Sequence, residues 1–182
     1  MSVRRAVAVL LLVAAGSANA QQVSVEAHRD GEAVLVEARA HMKADARLAW
    51  EVLTSYDQYA RFVPDLKSSE IVARAGNTVI VEQRGVAGFF LFRFPLEVRL
   101  AVTEQPYGQI SAQAISGNFK EMTGLYELTP DGQELYLTYS GRLVPAFGLP
   151  PFFGTAAVRI AVEKQFTALV REILRREKEK VW

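Results

Sequence analysis

The sequence predicts an α+β domain in which helices pack on one side of an antiparallel sheet, and three observations lead there. Six runs of strand-type residues lie between Leu66 and Val144, separated by the turn-forming clusters "AGN", "VAG", "EQPYG", "SGN" and "TPDGQ", which are of hairpin length. After them, "TAAVRIAVEKQFTALVREILRREKEK" places Val158, Val162, Phe166, Leu169 and Ile173 at steps of four, four, three and four, a broad apolar stripe on one long helix. Beyond the leader described next, no repeat, low-complexity tract or interior linker divides the chain, so a single domain is expected. If the sheet curls around the last helix, two apolar surfaces face each other across a space whose volume is set by side-chain size.

The first element is not part of the fold. In "MSVRRAVAVLLLVAAGSANAQQ", Arg4 and Arg5 form a basic start, Ala6 to Ala15 is an apolar stretch too short to span a bilayer, and Ala18-Asn19-Ala20 is a small-x-small cleavage pattern. Residues 1–20 are read as a secretory signal peptide and 21–182 as the domain, exported to a bacterial periplasm. The paired arginines lack the polar context of a twin-arginine signal, and no Cys follows to carry a lipid anchor. Removing 20 of 182 residues leaves 162, enough to bury a full core without staples. The mature chain then has 19 basic and 20 acidic residues, a near-neutral balance that argues against a nucleic-acid partner. With no Cys, neither disulfides nor thiol chemistry are available.

The domain opens with two alternating runs around Arg29-Asp30-Gly31-Glu32, a hairpin signal, with Val34, Val36, Ala38, Ala40 and Met42 on one face. The period then becomes helical: Asp45 can cap a helix carrying Leu48, Val52 or Leu53 and Tyr56, followed by a short second turn that Pro64 stops. Strands are expected over roughly 66–74, 78–86, 89–103, 109–116, 119–129 and 133–144. In the third, the even positions Phe90, Phe92, Phe94, Leu96, Val98, Leu100 and Val102 are all apolar, while the odd face is polar over most of its length, with Arg93, Glu97, Arg99 and Thr103. Because a strand has period two, this is a half-buried strand with one wholly apolar face. Phe89 and Leu91 are surplus to that face and sit beside the expected Gly85–Gly88 turn, where they could close a cavity mouth, meet a partner or make transient membrane contact. Pro95 has no N–H for the ladder and points to an edge or a bulge.

Few residues carry chemistry. His28 and His41 alternate with polar neighbours and read as solvated surface groups. No metal-ligand spacing, phosphate loop, dinucleotide fingerprint or Gly-x-Ser-x-Gly elbow is present, so no metal or cofactor is expected. Glu82, Glu121 and Glu127 could act as acids or bases if buried in an apolar cavity, but pairing with Arg84, Arg93 or Lys120 explains them more simply. Tyr126 and Tyr139 share faces with apolar residues, and each offers an apolar body with a polar tip, suited to hold a carbonyl or hydroxyl or to sit satisfied in the core. Glu172 and Arg176 form a supportive pair on a solvated face of the last helix.

The segments "AWEVLTSYDQYARFVPDLKSSEIVAR", with Tyr56, Tyr59, Phe62, Val63 and Pro64, and "GNFKEMTGLYELTPDGQELYLTYSGRLVPAFGLP", around Gly124 and Tyr126, carry a family resemblance. The chain resembles the polyketide cyclase/dehydrase group of the START-like (SRPBCC) superfamily, most nearly the branch containing the coenzyme Q-binding proteins. The resemblance implies a helix-grip fold, a curved antiparallel sheet wrapped around the C-terminal helix with a hydrophobic tunnel between them. It also implies a lipid, sterol, quinone or polyketide as ligand, with catalysis in a minority of members. It assigns no catalytic residue here.

The leading expectation is a non-catalytic binding or carrier protein for a hydrophobic small molecule such as a lipid, isoprenoid or quinone-like compound. Its walls would be Phe90, Phe92, Phe94, Tyr126, Tyr139 and Phe166, with Phe152 and Phe153 of "LPPFFG" as a lid or as a staple for the helix start. The alternatives are a cyclase, dehydratase or hydrolase using a strand carboxylate, and an interaction module with a filled core.

Overall fold

The computed structural model describes residues 22–89, 92–146 and 154–180. Its strands β1 (Gln22–Asp30), β2 (Ala33–Lys43), β3 (Leu66–Ala75), β4 (Thr78–Phe89), β5 (Phe92–Gln105), β6 (Gln109–Gly117), β7 (Phe119–Asp131) and β8 (Glu134–Pro145) form one antiparallel sheet in the order β1-β2-β8-β7-β6-β5-β4-β3. Helix α1 (Ala46–Thr54), a 3-10 turn at Tyr56–Gln58 and α2 (Tyr59–Phe62) connect β2 to β3, and α3 (Gly154–Lys180) closes the chain. The curved sheet gripping a long C-terminal helix is a helix-grip α+β fold.

The local reasons are visible in the side chains. The Asp45 carboxylate accepts from the Leu48 N–H at 2.9 Å and caps α1, while the Tyr59 hydroxyl donates to the Leu53 carbonyl at 2.6 Å near the other end. The alternating residues Val34, Val36, Ala38, Ala40 and Met42 of β2 are all buried. β2 pairs with β8, so the N-terminal hairpin extends the meander at its last strand.

One boundary differs from the sequence expectation. Gly85–Gly88 is not a turn: β4 runs on to Phe89, which pairs with Phe92. Gly85 serves a close backbone approach instead, because a Cβ there would lie 2.4 Å from the Asp65 carbonyl oxygen. That carbonyl accepts from the Val86 N–H at 2.8 Å, and the Asp65 carboxylate reaches Lys164 of α3 at 2.7 Å. Phe89 is therefore a strand residue, and Leu91 lies outside the described residues.

Bulges shape the sheet. Ile115 is the extra residue between the Leu100–Ala114 and Arg99–Ser116 pairs, and Lys120 between Phe119–Pro145 and Glu121–Val144. β6 and β7 pair from Gln109–Glu127 to Gln113–Thr123 and separate beyond. There Asn118 takes the place of β6 along β5: its side chain accepts from the Glu97 N–H at 3.1 Å and donates to the Pro95 carbonyl. Pro95 thus sits on an interior strand, but on a stretch paired only to β4, where its missing N–H costs nothing.

The core lies between the sheet and the second half of α3. Phe166, Leu169, Val170 and Ile173 are fully buried against Val52 and Leu53 of α1 and Leu135 and Leu137 of β8. Each such side chain contributes about 1.5–3 kcal/mol through apolar burial. Glu172 corrects the expected solvated face. It is only 8 % exposed, accepting from Arg175 at 2.7 and 2.8 Å and from Arg176 at 2.8 Å.

Candidate functional site

Beneath the first half of α3 the packing does not close. A cavity of about 170 Å³ lies between that half-helix and the concave face of the sheet. The even positions of β5, Phe94, Leu96, Val98, Leu100 and Val102, form one wall, as the period-two pattern requires. The opposite side is made by Ala157, Val158, Ala161 and Val162, small residues at one to two helical turns, with Gln165 beside them. The end is closed by Leu53, Tyr56 and Tyr59 from α1 and the turn after it.

Among the sequence-predicted wall residues, Phe94, Tyr126 and Tyr139 line the cavity. Phe166 stands behind the wall: it is fully buried and stacks on Tyr126 with ring centroids 6.4 Å apart. Phe92 begins β5, with only its backbone described, and Phe90, Phe152 and Phe153 lie outside the described residues. Sequence reasoning missed Tyr56, Tyr59, Gln83, Met122 and Gln165. The signal for Gln83 was its parity, since it shares the inward face of β4 with Val79 and Val81.

The polar groups among the described lining residues are all uncharged: there is no Asp, Glu, Lys, Arg or His among them. Gln83 donates to the Ser69 hydroxyl at 3.1 Å, and the Gln165 side chain lies near the Tyr126 hydroxyl. The Tyr56 hydroxyl is sealed by packing with no acceptor at hydrogen-bond geometry, although the Glu104 carboxylate is near enough to add to the effect of burial in raising its pKa. Burial raises Tyr59 and Tyr126 as well, and pushes Tyr139 up to about 12. At neutral pH every one of these phenols is protonated.

Tyr139 and Tyr126 pair across β8 and β7, with ring centroids 4.7 Å apart, and Gly141 pairs with Gly124 next to them on the same face. The Tyr139 ring lies over both glycines: a Cβ at Gly124 would sit 2.9 Å from its Cε2, and one at Gly141 2.6 Å from its hydroxyl oxygen. Two glycines let a large ring lie flat along the wall, where it leaves the space open.

The strand carboxylates lie elsewhere. Glu82 accepts from Arg99 and Glu121 from Arg142, both as ion pairs, and Glu127 is exposed. The partners are not the expected Arg84, Arg93 and Lys120; Lys120 reaches Glu32 at 2.9 Å. His28 is exposed, and His41 stacks on Tyr136 with ring centroids 4.4 Å apart and lies 3.4 Å from Glu134. No group of metal-ligating side chains assembles, and no helix is long and apolar enough to cross a membrane, among the described residues.

An open cavity between a long helix and the sheet that grips it is the working arrangement of a helix-grip fold. The chain belongs to the family described as polyketide cyclase / dehydrase and lipid transport, which it matches over residues 42–176. Its fold is similar to that of the Zhui aromatase/cyclase from Streptomyces sp. R1128, at TM-score 0.67 and 19% identity over 82% of this chain and 96% of that one. It is also similar to a STAR-related lipid transfer protein from Xanthomonas axonopodis, at TM-score 0.66 and 15% identity over 83% and 93% of the two chains. A START superfamily protein from Mycobacterium smegmatis gives TM-score 0.67 at 14% identity over 78% and 97%. At these identities the likeness is one of fold. No curated protein sequence matches the chain.

Proposed function

We propose that the protein is an exported binding or carrier protein for a hydrophobic small molecule, a lipid, isoprenoid or quinone-like compound held between the sheet and α3. The observation that carries this reading is the cavity itself: apolar along its walls, bounded by the gripping helix and, among the described residues, lined by no ionisable group other than tyrosine. Family membership and the folds of an aromatase/cyclase and a lipid transfer protein support a hydrophobic ligand. A non-catalytic role fits the tyrosines. General acid–base chemistry works best with a group whose pKa lies near the working pH, and burial moves all four phenols away from it.

The export reading rests on the first twenty residues. Native mass spectrometry of the protein taken from the bacterial envelope tests both halves. The expected result is a polypeptide beginning at Gln21 and carrying one apolar molecule that organic extraction releases. A chain retaining Met1 would remove the export reading, and an empty mature protein the carrier reading.

A further inference from the structure

We propose, on the basis of that binding reading, that the cavity selects a neutral ligand carrying a carbonyl-type oxygen, and that the Tyr139 hydroxyl above the Gly124–Gly141 pair is the donor that holds it.

Elimination among the four cavity tyrosines leaves the neighbouring pair Tyr126 and Tyr139, and of the two it is Tyr139 whose hydroxyl lies against the Gly124–Gly141 pair. The Tyr59 hydroxyl is used by the Leu53 carbonyl, and that of Tyr56 is sealed away from the space. Tyr139 makes no hydrogen bond among the described residues, and its hydroxyl is not sealed as Tyr56's is. Tyr139 is 8 % exposed and lines the cavity. A buried hydroxyl without a partner is unfavourable, and a ligand oxygen would relieve it. Held protonated by burial, the phenol can donate.

The glycines make the arrangement specific. A Cβ would come within 3.0 Å of the Tyr139 hydroxyl oxygen from Gly124 and within 2.6 Å from Gly141, so neither position accepts a side chain unless the ring moves. Ordinary strand propensity disfavours glycine at both places. Their presence fits a need to keep the ring flat and its hydroxyl at the wall.

Charge fixes the rest of the ligand class. A carboxylate or phosphate would enter a space without a cation among its described lining residues. An unpaired charge in such surroundings is strongly disfavoured. The cavity's volume is close to the roughly 150 Å³ that holds benzene in an engineered core, so a compact ring system is an apt probe.

The test titrates the mature protein with 1-tetralone, with tetralin, which has the same two rings and no oxygen, and with the anion 1-naphthoate, by calorimetry. Tyr139→Phe is expected to weaken tetralone about tenfold and to change tetralin by less than about twofold, the size of one neutral hydrogen bond. Naphthoate should bind the unaltered protein at least about tenfold more weakly than tetralone. Gly141→Ala, which keeps the hydroxyl but displaces it, should weaken both neutral probes and tetralone more; it decides the question if Tyr139→Phe does not fold. Equal effects of Tyr139→Phe on the two neutral probes, or naphthoate binding as tightly as tetralone, would overturn this inference and leave the carrier reading standing. Failure of the unaltered protein to bind either neutral probe would overturn both.

Discussion

The two halves of α3 face the same sheet and reach opposite outcomes. From Phe166 to Ile173 the helix presents Phe166, Leu169, Val170 and Ile173, none of which has any accessible surface, and the interface closes into core. From Ala157 to Gln165 it presents Ala157, Val158, Ala161 and Val162, and about 170 Å³ stays open against walls that are just as apolar. Hydrophobicity is therefore not what distinguishes a core from a binding site here. Side-chain volume on one helix face does so, helped by two glycines that hold the Tyr139 ring against the sheet.

Large-to-small and small-to-large substitutions should separate the two halves. Phe166→Ala removes a fully buried ring from the closed half and should cost about 3–5 kcal/mol in urea unfolding. A cost below about 1 kcal/mol would mean that the closed half is not packed as a core. Adding volume should show the reverse contrast. Val170→Phe overpacks a site with no accessible surface and should cost about 1–3 kcal/mol. Ala161→Phe has the cavity to grow into, so its stability should change by less than about 1 kcal/mol while binding of tetralin and 1-tetralone is lost. If Ala161→Phe were as damaging as Val170→Phe, the open half would be core as well, and the carrier reading would fail with it.

Much of this contrast was legible in the sequence. The period-two pattern of β5 identified its inward face, and Phe94, Leu96, Val98, Leu100 and Val102 do line the cavity. The four-four-three-four spacing identified the stripe on α3. Periodicity reports which side of an element is apolar, not how far it stands from the opposite surface. For that reason Phe166, on the same stripe as Val158 and Val162, could not be told apart as core rather than wall. Gly85 misled for a related reason. A glycine within a strand-type run signals a turn or a close approach equally well, and the chain crossing at Asp65 that decides between them is twenty residues away. The role of Gly124 and Gly141 was hidden in the same manner, because it depends on the β7–β8 register that brings them together beneath one ring.

The smallest expected effect concerns what fastens the closed half. Glu172, on the last turns of α3, is held by hydrogen bonds from Arg175 and then Arg176, which outweigh its burial and pull its pKa from 4.5 down to about 2. Arg176 also reaches the Gln58 side chain at 3.2 Å, so the cluster ties α3 to the turn after α1. A carboxyl with a depressed folded pKa stabilises the fold above its unfolded value and loses that contribution as the pH falls through the folded one. Glu172→Gln should therefore lower stability by about 1 kcal/mol at pH 7, a modest figure because Arg175 is half-exposed to solvent. The difference from the unaltered protein should hold down to about pH 5, shrink below 4.5 and vanish near 2. Urea unfolding of both proteins across that range would show it. Binding of the neutral probes should be unchanged at pH 7, since Glu172 belongs to the closed half. A loss of binding together with stability would show that the two halves of the helix are coupled, and that the cavity depends on the core beside it.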